Sequence, residues 1–162
     1  MKTALGSQLT GSPIEIRRRG GLRDTAGNPA HAATFLRERL IVLDLDLKHD
    51  RDRIVWHEIF HFAWVRLGNP RRLDWGRLLS GEFRAGARGE TGWSAEWRKI
   101  ELSEEDVSRR TRRWREYCCE SFCDTAAWIL SGRESEITLA RRWREGRKSW
   151  FNRHLADREI PI

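Results

Sequence analysis

Between residues 54 and 64 the chain reads IVWHEIFHFAW, an apolar run interrupted by His57, Glu58 and His61. Ile54, Val55, Trp56, Ile59, Phe60, Phe62, Ala63 and Trp64 cover nearly the whole circumference at helical spacing. The pattern predicts a buried helix that carries two imidazoles and a carboxylate. KHDRDR precedes it, with Asp50 or Asp52 as the N-cap, and Gly68 and Pro70 mark its end. Upstream, ATFLRERLIVLDLDL at 33–47 holds the best strand, because Leu43, Leu45 and Leu47 alternate with Asp44 and Asp46. Its polar face suits a sheet edge. PIEIRRR at 13–19 reads as a second short strand, and GGLRDTAGNPAH at 20–31 as turn or loop. Residues 1–12 are polar and small and read as a loose tail.

Downstream the pattern is less regular. Residues 69–102 read as a loop-rich insertion, with a short helix in RLDWGRLLS and a glycine-rich stretch in GEFRAGARGETG. Trp93 and Trp97 mark a return to packed structure. Ser103 then caps a helix expected to reach Ser131, with Glu104, Glu105 and Asp106 in its first turn and Gly132 as the stop. Val107, Thr111, Trp114, Cys118, Phe122, Thr125 and Ile129 form its apolar stripe. A last helix over 136–154 would turn Leu139, Trp143, Trp150 and Phe151 inward. No repeat or second domain is visible, so 13–162 reads as one domain. Its class is α+β, with a short antiparallel or mixed sheet packed on the 54–67 helix and a second long helix.

Composition narrows the function only a little. The 162 residues suit one domain, and 39% hydrophobic content is enough for one core. Most of the nine tryptophans are expected in that core. The net charge of +7 comes almost wholly from arginine, since the only lysines are Lys2, Lys48, Lys99 and Lys148. Such a surface can attract nucleic acid, an acidic partner or anionic lipid. The arginines are scattered rather than striped, which favours a compositional habit over a dedicated interface. Cys118, Cys119 and Cys123 form no disulfide framework. The opening MKTALGSQLTGSPIEI has no apolar stretch of signal-peptide length, and no window approaches a membrane span. A cytoplasmic protein with reduced thiols is expected.

The chemistry lies in the interruptions. His57 and His61 are four apart, so on a helix they can share one metal ion, with Glu58 beside it. This is the HExxH arrangement. Zinc takes imidazole nitrogen readily, and a carboxylate beside a zinc-activated water can accept its proton. The competing reading is a pair of core histidines bonded to backbone, with Glu58 reaching solvent. A catalytic zinc wants a third protein ligand. YCCESFCDTAAWIL at 117–130 offers Glu120, which lies opposite the main apolar stripe, and Asp124 one turn on. Glu120 can be the third ligand, and Asp124 can accept the free N–H of a ligating histidine. These acids could instead pair with Arg113 or Arg115. Cys119 and Cys123 are rival ligands that would make a closed, structural site.

HEIFH followed by E-x-x-x-D resembles the gluzincin branch of the zincin metallopeptidases, and most of all small intracellular peptidases of the ImmA/IrrE type. The resemblance covers about residues 35–67 and 104–131. It implies a zincin-like domain and a zinc ion held by His57, His61 and Glu120, with Asp124 bracing a histidine. Members of that type act on transcriptional regulators, so a peptide or protein substrate of that kind is implied. The expected activity is peptide hydrolysis, with Glu58 as general base toward the activated water. The strand near 40–47 could pair with an extended substrate. Tyr117 is a candidate oxyanion stabiliser, as are His31, His49 and His154, although each reads more readily as structural. The alternative is a basic DNA- or protein-binding regulator whose zinc is structural. A DNA-associated protease of the SprT kind is disfavoured by the lack of a third histidine in helical context. A degenerate zincin scaffold is disfavoured by the intact His57, Glu58, His61 set.

Overall fold

The computed structural model describes residues 8–24, 27–46, 50–134 and 137–162. Four strands come first: β1 (Leu9–Thr10), β2 (Glu15–Arg19), β3 (Ala32–Phe35) and β4 (Leu40–Asp44). The helices α1 (Arg51–Arg66), α2 (Asn69–Arg84), α3 (Trp93–Ile100), α4 (Glu104–Arg109), α5 (Arg112–Ser131) and α6 (Arg141–Leu155) follow, and β5 (Ile160–Pro161) is last. The α+β class read from the sequence is the class observed. The main sheet is mixed, in the order β2-β4-β3, with β2 parallel and β3 antiparallel to β4. Among the described residues no helix is long and apolar enough to cross a membrane.

α1 is wedged between two apolar clusters. On one side Phe62 packs with Ile41 and Leu43 of β4. On the other, Phe60 and Ala63 join the larger core built on α5 and α6. Phe122 of α5 is the hub of that core. Its ring meets Phe60, Trp64, Trp75, Trp150 and Phe151 at centroid distances of 5.0–6.2 Å, the range of favourable aromatic contact. A helix enclosed this way explains an apolar pattern with no clear solvent face.

Several expectations are corrected. The segment 33–47 is a hairpin, not one strand, and β4 is the central strand rather than an edge. Asp44 ends it early: its Oδ1 accepts from the Asp46 amide at 2.8 Å and its Oδ2 from the Leu22 amide at 3.0 Å, a turn favoured by Asp side chains. Leu45 is consequently exposed, and Leu47 lies outside the described residues. The tail expected over 1–12 contains β1, paired with β5; its residues 1–7 lie outside the described ones. Asp50 flanks α1 without a side-chain cap bond, because its carboxylate accepts from Arg133 at 2.6 Å instead.

The loop-rich insertion over 69–102 is in fact mostly α2 and α3. Pro70 sits in the first turn of α2, where a missing N–H costs nothing. Trp75, Leu79 and Glu82 then share its buried face, so tertiary packing overrides Gly76 and Gly81. The single helix expected from 104 to 131 is two. Ser103 caps α4 through a capping box with Asp106. Arg110 then turns left-handed, and Thr111 serves as a second N-cap, for α5. The last helix begins at Arg141, and Trp143 is only half-buried there. Of the tryptophans, Trp75, Trp114, Trp128 and Trp150 are buried, whereas Trp93 is 74% and Trp97 38% exposed.

A buried charge cluster ties α2, α6 and the segment before α3. Arg147 Nη2 donates to Glu82 at 2.6 Å, and Arg147 Nη1 donates to Glu90 at 2.5 Å. Lys99 Nζ lies 3.1 Å from Glu90, and Tyr117 donates its hydroxyl to the same carboxylate at 2.5 Å. Burial alone would raise the Glu90 pKa, but Arg147 and Lys99 bring it down from 4.5 to about 2. A depressed carboxyl pKa stabilises the fold at pH above the unfolded value and loses that contribution as pH falls toward the folded one. Acid unfolding of wild type should therefore steepen between about pH 4.5 and 2, and Glu90→Gln should flatten that limb. Arg147→Met, which strands two buried carboxylates, should cost about 3–5 kcal/mol in urea denaturation at neutral pH.

Candidate metal centre

The interrupted apolar run becomes α1, with His57 and His61 facing α5 and Glu58 turned to Thr34 of β3. His57 and His61 lie one above the other, with Nε2 atoms 3.2 Å apart. Across from them α5 presents Glu120, whose Oε2 is 3.3 Å from His57 Nε2 and whose Oε1 is 4.0 Å from His61 Nε2. Ligand atoms of His57, His61 and Glu120 all lie within 4.8 Å of one another, so the three could hold a metal ion. All three side chains are mostly but not wholly buried, so the cluster sits at the wall of the core rather than inside it.

Asp124, one turn beyond Glu120, braces the group. His57 Nδ1–H donates to Asp124 Oδ1 at 2.8 Å, which sets the tautomer and leaves Nε2 toward His61 and Glu120. The other oxygen, Oδ2, accepts from the Ala95 amide in α3 at 2.9 Å. Gly92 makes room for this carboxylate, since a Cβ there would fall 2.2–2.5 Å from its atoms. The backbone of Gly92 is extended, so space and not conformation requires glycine.

Electrostatics follow from this crowding. Burial pulls the His57 pKa down, but the charge and hydrogen bond of Asp124 and the bond to Glu120 raise it well above the ordinary value. Burial would likewise raise Glu120, yet the bond to His57 and the charges of His61, His57 and Arg98 hold it far below the carboxylate range. His57 thus lies between two carboxylates that favour its charged form, so a metal ion would compete with a proton for Nε2. On the far side of His61, Cys119 Sγ lies 3.5 Å from Nδ1. A bond with Cys123 brings the Cys119 thiol down to about 6, against the opposing effect of burial. His61, Cys119 and Cys123 form a second group that could hold a metal ion.

Four contributors were not legible in the sequence. Thr34 of β3 donates its hydroxyl to Glu58 Oε2 at 2.5 Å and so anchors that carboxylate against β3. Ser94 donates to Glu120 Oε2 at 2.5 Å, and Arg98 Nη2 lies 3.6 Å from Glu120 Oε1. Gly92 is the fourth. Glu120 pairs with these groups and not with Arg113 or Arg115. Tyr117 is not at the site: its hydroxyl is fully buried against Glu90, so the expectation of an oxyanion stabiliser there fails. Three residues before Glu120 is about 60° round the helix, enough to turn it to another face. His154 stacks on Trp150 and pairs with Asp74, His31 is exposed at the head of β3, and His49 lies outside the described residues. Comparison with protein-family models, with curated proteins and with solved structures finds no match.

The brace is open to a direct check. Gly92→Ala and Asp124→Ala should each weaken metal binding about 10–100-fold, the usual effect of losing a group that orients a ligand, in a competition titration against a chromophoric chelator. Gly81→Ala, in open space within α2, should leave affinity unchanged.

Proposed function

We propose that this chain is a zinc-dependent peptidase. The observation that carries it is the spacing of the donor atoms: 3.2 Å between the histidine Nε2 atoms, 3.3 Å from His57 Nε2 to Glu120 Oε2 and 4.0 Å from His61 Nε2 to Glu120 Oε1. Ligands at about 2.0–2.1 Å around tetrahedral zinc sit about 3.3 Å apart. Two imidazoles and one carboxylate also match the donor set of an open, catalytic zinc site rather than a closed structural one. When bound, zinc would polarise a substrate carbonyl and lower the pKa of a water toward neutrality.

The protein's own groups supply the rest. Glu58, anchored by Thr34, accepts the proton of the attacking water and passes it to the leaving amine. The C–O bond forms, the C–N bond breaks, and the amine leaves neutral. Asp124 keeps His57 in the metal-binding tautomer. An extended peptide has a natural berth along the free edge of β3, the strand that carries Thr34. The resemblance to ImmA/IrrE-type peptidases supports an intracellular regulatory protein as substrate.

One contact favours a second reading. The approach of Cys119 to His61 Nδ1 suits a thiolate-bound, structural metal in a basic DNA- or protein-binding regulator. Cobalt substitution separates the two. Intense thiolate-to-cobalt charge-transfer absorption supports the cysteine site and its absence supports the histidine–glutamate site.

Elemental analysis after purification without chelator should find about one zinc per chain, lost in Glu120→Ala. Glu58→Gln should keep the zinc and lose about 10²–10⁴-fold in peptide hydrolysis. Zinc-free protein even after zinc is supplied, or full activity in Glu58→Gln, would remove the peptidase reading.

A further inference from the structure

Hydrolysis of a peptide places negative charge on the carbonyl oxygen, and that charge needs a donor. Tyr117 cannot supply it, because its hydroxyl is committed to Glu90 in the core. Among the described residues, Arg98 is the one arginine or lysine that pairs with a member of the His57, His61, Glu120 group. We propose that Arg98 is the oxyanion-stabilising catalytic residue. This assignment rests on the peptidase reading.

Arg98 is held in place before any substrate arrives. Its Nη1 donates to the Ser94 carbonyl at 2.8 Å and to Ser94 Oγ at 3.1 Å. Its guanidinium lies over the Trp97 ring, 4.3 Å from the centroid, a stacked contact that restrains the plane. One end of the fork, Nη2, makes no hydrogen bond and is left for a substrate. Nη2 stands 3.6 Å from Glu120 Oε1, close enough for charge attraction but too long for a hydrogen bond. Nε is buried without an acceptor. The side chain keeps 25% of its surface open to solvent.

Position decides which substrate group it meets. A cation beside the second oxygen of a metal-ligand carboxylate stands within a few ångströms of where the metal would sit and the scissile carbonyl oxygen would become anionic. The terminal carboxylate of a substrate would lie at least a residue further away. As the water oxygen bonds to the carbonyl carbon, the C=O π pair moves onto oxygen, and the Arg98 N–H groups stabilise it there. When the C–N bond breaks, that pair re-forms the carbonyl and the proton taken by Glu58 goes to the nitrogen. Arg98 loses no proton at any step. Next to it, the exposed rings of Trp93 and Trp97 offer apolar surface to a neighbouring substrate side chain.

The test uses two probes on the full zinc-loaded chain, N-phosphoryl-Leu-Trp and N-mercaptoacetyl-Leu-Trp. The first presents tetrahedral anionic oxygens, and the second binds metal through sulfur and presents none at that point. Isothermal titration should show Arg98→Met losing about 10²-fold or more for the phosphoryl probe, with the thiol probe and zinc content unchanged. Arg98→Lys should fall between the two, since it keeps the charge but not the fork. In hydrolysis, kcat should fall and KM should hold. Equal loss of both probes, or loss of neither, would overturn the assignment, as would a fall confined to peptides with a free C-terminus. Failure of the peptidase reading is distinguishable: it appears in wild type itself, as absent zinc or absent hydrolysis.

Discussion

One carboxylate holds the site together. Asp124 binds the imidazole of α1 with one oxygen and the backbone of α3 with the other. Three helices therefore meet on a single side chain. The bond to His57 fixes an imidazole that could otherwise rotate or change tautomer. The bond to Ala95 fixes the helix that carries Ser94 and Arg98 toward Glu120. Asp124 can approach so closely only because Gly92 has no side chain. A buried carboxylate of this kind is costly unless both oxygens are satisfied, and here they are.

The larger fold serves the same end. α1 is packed on both sides, by the sheet through Phe62 and by the helical core through Phe60 and Ala63. Its histidines are left the direction toward α5, and Glu58 meets Thr34 of β3. The Arg147 cluster works from behind. Through Glu90 it anchors the segment just before Thr91 and Gly92, and Lys99 returns from α3 to the same carboxylate and to the Gly89 carbonyl. The short α3 is thus tied at both ends. Its placement matters because it supplies no candidate metal ligand but touches every acid of α5 that faces the cluster.

The parts legible in the sequence obey a period. His57 and His61 repeat at one helical turn, as do Glu120 and Asp124, and acids within an apolar helix announce a partner. The parts that were not legible come from tertiary contact. Thr34, Ser94, Arg98 and Gly92 are ordinary surface-type residues in a linear reading, and only the packing of three separate segments brings them to the site. Local signals also misled. The glycine-rich stretch that opens at Gly81 read as loop, yet α2 runs through Gly81 to Arg84 behind the buried Trp75 and Leu79. Thr111 fitted an apolar stripe at helical spacing, but its hydroxyl makes it a cap. Tyr117 was near the right residue in sequence and on the wrong face in space.

The charge distribution around this site inverts that of the molecule. The chain carries a net charge of +7, while Glu120 and Asp124 flank His57 and only Glu120 pairs with the Arg98 guanidinium. A divalent cation approaching from solution first meets a repulsive field and then, within a few ångströms, a well of negative potential. Salt acts on these two regimes unequally. At 0.1 M the screening length is about 10 Å, so the distant repulsion fades while the attraction of half-buried carboxylates persists. Ionic strength would thereby control how fast a metal ion entered such a site more than how tightly it was held.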